Sequence, residues 1–78
     1  MEPKEFAMQY IFESSDYAAG ANNFLEDAER ALKRGDVDKS AELLEQAKNG
    51  LEAAAYRLSR AQEYIQKLKF QPTRRSES

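Results

Sequence analysis

Seventy-eight residues with no cysteine and no histidine exclude a disulfide framework, a thiolate zinc site and the commonest general base. The formal net charge of −2 marks no polyanionic or polycationic partner. One small domain fits this length, with a core so modest that association is the support left to it.

The first element is a helix from about residue 3 to residue 34. Pro3 suits a first turn, where its missing N–H would be unpaired anyway, and Glu2 and Glu5 meet the positive end of the helix dipole. Lys33 and Arg34 complement the negative end, and Gly35 is the expected left-handed cap. Within this span Ser14, Ser15, Asp16, Gly20, Asn22 and Asn23 are poor helix formers. Asn23-Phe24-Leu25-Glu26 even has the form of a capping box, which would start a new helix. The heptad register crosses that stretch without a slip, so the spacing predicts one continuous helix.

Asp36 offers an N-cap for a second helix, and Gly35-Asp36 therefore reads as a very short turn between antiparallel helices. The second helix runs from about residue 37 to residue 70 and stops before Pro72. Residues 71–78 have no apolar periodicity and read as a disordered tail. The expected fold class is all-α: a single domain, 1–70, formed by a long, coiled-coil-like antiparallel hairpin.

Both helices carry seven-residue repeats, the pattern of coiled-coil packing. Helix one has a large row, Ile11, Ala18, Leu25 and Leu32, beside a small row, Ala7, Ser14, Ala21 and Ala28. Helix two repeats the scheme, with Val37, Leu44, Leu51, Leu58 and Ile65 beside Ser40, Ala47, Ala54, Ala61 and Leu68. Together the rows read as the seam, and the small residues let the backbones approach closely. Gly20 and Gly50 fall at similar heights in the closed hairpin. Either they are tolerated at about 1 kcal/mol each or they mark a close crossing.

A third set of apolar positions exceeds what two helices can bury. Tyr10, Tyr17, Phe24 and Ala31 recur one position before the large row, and Leu43 and Tyr64 match them on helix two. Stripes this wide belong to bundles of three or four helices. At the open end Phe6, Met8, Tyr10, Ile11 and Phe12 gather beside Ile65, Leu68 and Phe70, with Phe6 and Phe12 pointing away from the seam. They either cover the hairpin's own fraying ends or form a docking patch. The expected interface is Phe6, Tyr10, Phe12, Tyr17, Phe24, Leu43, Tyr64 and Leu68. Its occupant is a second copy, completing a four-helix bundle, or a larger helical protein, or both.

None of the 14 acids falls on a seam row, and a carboxylate needs burial or a like-charged neighbour to reach a catalytic pKa. The di-metal centres of four-helix bundles need histidine and inward glutamate, and neither is present. No catalytic residue, cofactor or metal ligand is expected. The leading function is that of a non-enzymatic adaptor, small subunit or chaperone.

The alternative is a dimeric four-helix regulator of structured nucleic acid. Its contacts would be Arg57, Arg60, Lys67, Lys69, Arg74 and Arg75, a stretch interrupted by a single acid, Glu63, with aromatic residues interleaved for stacking. The same bases suit a solvated face near a helix C-terminus, and a pI near 5.1 argues against nonspecific binding. No apolar run approaches the ~20 residues of a membrane span. The opening Met-Glu-Pro-Lys-Glu lacks the basic and apolar parts of a secretory signal, so a soluble, cytoplasmic protein is expected.

The segment from Leu32 to Ala47 resembles the inter-helix turn of tetratricopeptide-type hairpins, a likeness confined to the turn because no 34-residue repeat follows. In hairpin length and in its Gly-Asp turn, the chain is also similar to small co-chaperones of type III secretion needle subunits and to the exonuclease VII small subunit. These likenesses imply the hairpin; no residue motif carries an activity over with them.

Overall fold

The computed structural model describes residues 2–70, and the expected tail at 71–78 lies outside the described residues. Two helices, α1 (Pro3–Lys33) and α2 (Val37–Lys69), pack against each other as an antiparallel hairpin. The first helix runs unbroken through Gly20, Asn22 and Asn23. No strand occurs among the described residues.

The ends follow from local chemistry. Pro3 occupies the first turn of α1, and the Glu5 carboxylate accepts a hydrogen bond from the Glu2 backbone N–H at 3.2 Å. At the other end Gly35 adopts φ +83°, a conformation that glycine alone reaches without a Cβ clash. That turn lets the Asp36 N–H donate to the Ala31 carbonyl and the Gly35 N–H to the Leu32 carbonyl, both at 2.9 Å. The Leu32 carbonyl thereby gains a partner near the helix end, and the Ala31 carbonyl, which also accepts from the Arg34 N–H at 3.1 Å, gains a second. Asp36 is at once the last residue of this motif and the cap of α2, its carboxylate accepting from the Lys39 N–H at 3.1 Å.

The small rows form the contact line of the seam, joined next to the turn by Ala31 and Leu43. Ser40 Oγ donates to the Ala28 carbonyl at 3.0 Å, and Ser14 Oγ lies 3.4 Å from the Ala54 carbonyl while bonding its own helix at Tyr10, 2.8 Å away. A serine hydroxyl is short, so such contacts require closely spaced backbones. The same register sets Ala21 against Ala47 and Ala7 against Ala61, all four buried. Seven alanines and Leu43 make up the buried apolar set among the described residues, and no large side chain is fully buried. An alanine methyl contributes far less than the ~1.5–3 kcal/mol of a buried Leu or Phe side chain. This seam fixes geometry more than it supplies stability.

The large row does not share the seam, contrary to the sequence expectation. Ile11, Leu25, Leu32, Val37, Leu44, Leu51, Leu58 and Ile65 are all exposed. Backbones brought together by small residues leave no room between them for a second, larger row. Side chains that project roughly 50° from the contact line at 3.5 residues per turn are pushed to its flank.

Candidate functional site

The hairpin has two long faces, one on each side of the alanine seam. Residues three positions after each small residue line one face, and residues four positions after line the other. On the first face, Tyr10, Tyr17, Phe24 and Ala31 of α1 run beside Leu43, Gly50, Arg57 and Tyr64 of α2.

These positions close over the seam in layers. Next to the turn, Leu43 packs with Ala28 and Ala31, and Phe24 lies against that cluster. One heptad on, Gly50 takes the place opposite Phe24, and a Cβ there would meet the Ala21 Cβ at 3.3 Å. This is the close approach that the sequence left open between Gly20 and Gly50; a Cβ on Gly20 would meet nothing within 4 Å. In the third layer the Arg57 guanidinium lies 4.4 Å from the Tyr17 ring centroid while its Nε donates to Glu13 at 3.0 Å. In the fourth, Tyr64 stacks on Tyr10 at 6.0 Å and on Phe6 at 5.3 Å. A groove of about 600 Å³ remains over the two glycines, walled by Phe24, Tyr17 and Arg57 and edged by Glu13 and Asp16.

The opposite face is aliphatic and open. Leu32 and Val37 flank the turn, followed by Leu25 with Leu44, Ala18 with Leu51, Ile11 with Leu58, and finally Ile65. The eight large members are 40–63 % exposed. Two shallow grooves run along it, one of about 330 Å³ lined by Leu25, Leu44 and Leu51, the other of about 770 Å³ lined by Ile11, Leu58 and Ile65. Among the described residues nothing folds over this stripe.

The residues expected to form an interface divide accordingly. Leu43 is only 8 % exposed and belongs to the chain's own core, because the turn brings it against Ala31. Phe6 folds back onto Tyr64 rather than pointing away. Tyr10, Phe24, Tyr64 and Leu68 are likewise half-buried in the hairpin. Phe12 and Tyr17, at 68 % and 41 %, are the two that stand well into solvent. Sequence reading missed that Gly50 and Arg57 share a heptad row with Leu43 and Tyr64. The spacing carried that signal, but a glycine and an arginine do not register in a search for apolar stripes.

Among the described residues the bases of this stretch are not gathered into one free patch. Arg57 is held by Glu13, and Arg60 Nη1 donates to Glu63 at 2.8 Å. Tyr10, and after it Glu63, hold the Arg60 guanidinium above its ordinary pKa, although its Nε is enclosed without a partner. Lys67 Nζ sits 4.9 Å from the Tyr64 centroid on the aromatic face, while Lys69 lines the aliphatic groove beside Ile65. Arg74 and Arg75 lie outside the described residues. No helix among the described residues is long and apolar enough to cross a membrane.

Comparison of the chain with protein families, with curated proteins and with solved structures finds no match in any of the three. The resemblances to other helical hairpins therefore rest on length and turn alone.

Proposed function

We propose that this protein is a non-enzymatic interaction module that docks a helical protein surface onto its aliphatic face. One observation carries the reading: eight large aliphatic side chains stand 40–63 % exposed in two aligned rows on a chain whose own core is mostly alanine. A contiguous apolar patch of this size on a soluble chain marks an interaction site. Its occupant is another copy, as in a homodimeric four-helix bundle, or a larger helical protein that the module serves as adaptor, small subunit or chaperone in the cytoplasm. Binding of structured nucleic acid is the weaker alternative, since Arg57 and Arg60 are each engaged by a carboxylate.

Site-specific photocrosslinking tests the reading. A photoreactive residue in place of Leu51, on the aliphatic face, is expected to form protein adducts in the producing cell. The same group in place of Asn49, on the solvent side of α2, is expected to form few. An absence of adducts from Leu51 would end the docking reading.

A further inference from the structure

We propose that the occupant of the aliphatic face is a second copy of this chain, so that two hairpins close a symmetric bundle of four helices. This rests on the docking reading above and adds the identity of the partner.

Area is the first argument. Taken at their observed exposures, the eight aliphatic side chains offer roughly 700 Å² per chain, close to the ~800 Å² per partner of a stable standard-size interface. Shape is the second. The stripe is two helices wide and about 40 Å long at 1.5 Å per residue. The two grooves follow one another along the stripe, each lined by both helices, and a hairpin of the same length matches the whole of it, two rows against two.

Self-complementarity is the third argument. A two-fold interface needs a patch that fits its own copy. Here both helices carry branched aliphatic residues of similar size at seven-residue spacing and matched heights, with Ala18 and Leu51 at the middle. Rows of that kind interdigitate with a copy of themselves as knobs into holes. Charge does not oppose it. The positions bordering the stripe are mostly uncharged: Met8, Ser15 and Asn22 on α1, and Ala41, Ala55 and Gln62 on α2. The remaining border positions, Glu29, Lys48 and Lys69, are of mixed sign. In this assembly the two aromatic faces, each with its Gly20–Gly50 groove, point outward in opposite directions.

Sedimentation equilibrium of the full chain from low to high micromolar concentration tests the proposal. The wild type is expected at twice the 8.9 kDa chain mass. Leu51→Glu and Leu51→Lys, each alone, are expected at the mass of one chain, because every copy then places like charges in the same layer. An equimolar mixture of the two is expected to regain the doubled mass. Tyr17→Glu, on the other face, is expected to remain dimeric.

A wild type at single-chain mass throughout overturns the proposal. So does a dimer that Tyr17→Glu dissociates and Leu51→Glu does not. Should the single Leu51 variants also lose helicity, the mixture still decides: recovery of helicity and doubled mass supports the dimer, and no recovery overturns it. The two readings fail separately. Adducts only to larger proteins from the Leu51 crosslinker, with a monomeric wild type, refute the second copy and leave docking intact; no adducts at all refute both.

Discussion

Phe24 and Leu25 are neighbours in sequence and belong to opposite faces with opposite fates. Phe24 leans over the seam onto Ala28, Ala31 and Leu43, while Leu25 stands 40 % exposed on a stripe that no other described residue covers. Both faces have the same geometry, set three and four positions from the same small row. Reach makes the difference. Tyrosine, phenylalanine and arginine side chains are long enough to lie across a closely spaced helix pair, as Tyr10 does on Tyr64 and Arg57 does over Tyr17. Leucine, isoleucine and valine are short and branched: Leu43 is enclosed because it faces the small Ala31, whereas on the other face large aliphatic residues from both helices stand side by side and present their ends outward. One face finishes the hairpin's own fold; the other waits for a surface to meet.

The largest effect is expected where the two faces share their foundation. Ala54→Leu inserts a larger side chain where Ser14 meets the Ala54 carbonyl, and overpacking of this kind costs about 1–3 kcal/mol. A lowered urea midpoint checks it, and an unchanged midpoint would mean that the seam lies elsewhere.

The comparison itself is sharpened by the neighbouring pair. Phe24→Ala removes a half-buried ring and is expected to destabilise the dilute chain by roughly 1–2 kcal/mol, below the ~3–5 kcal/mol of a fully buried phenylalanine. Leu25→Ala is expected to stay within about 0.5 kcal/mol under the same conditions, as an exposed substitution does, and to show its cost only in association. Equal losses in the dilute chain would erase the distinction between the faces.

A smaller effect of opposite sign is expected at Gly20. Its Cβ would meet nothing within 4 Å, so Gly20→Ala is expected to stabilise α1 by about 0.5–1 kcal/mol through helix propensity. Thermal denaturation checks the sign; destabilisation would show that the groove above Gly20 is occupied.

Glu13→Gln is also expected to have a small effect. Its ion pair with Arg57 is partly exposed, and pairs of that kind contribute about 0.2–1 kcal/mol, less at high salt. A melting-temperature difference from wild type that shrinks between low and high salt is the expected result, and a salt-independent difference would assign the effect to packing.

Much of the architecture was legible in the residues. Pro3, Gly35 and Asp36 placed the helix ends within a residue, because caps and turns are local chemistry. The small rows placed the contact line, because a seven-residue repeat survives in the sequence whatever surrounds it. The continuity of α1 across Gly20, Asn22 and Asn23 also followed from unbroken register, against the propensity of those residues. The site was less legible. An aromatic stripe reads as an interface when only apolar character is counted, and part of what meets it across the seam is not apolar: Arg57 lies over Tyr17, and Gly50 opposite Phe24 leaves a groove.

The sequence by itself therefore determined two helices, their ends, their antiparallel turn and the small row between them. Tertiary structure alone decided which flank of that row the chain closes over. Periodicity cannot choose, since positions three and four residues after a small residue stand at equal angles on either side of the contact line. The choice is made by side-chain length and by pairs far apart in the chain: Glu13 with Arg57, Phe6 and Tyr10 with Tyr64, Ala31 with Leu43. Those pairs exist only once the hairpin has formed, and by forming on one side they leave the aliphatic rows of the other side to solvent.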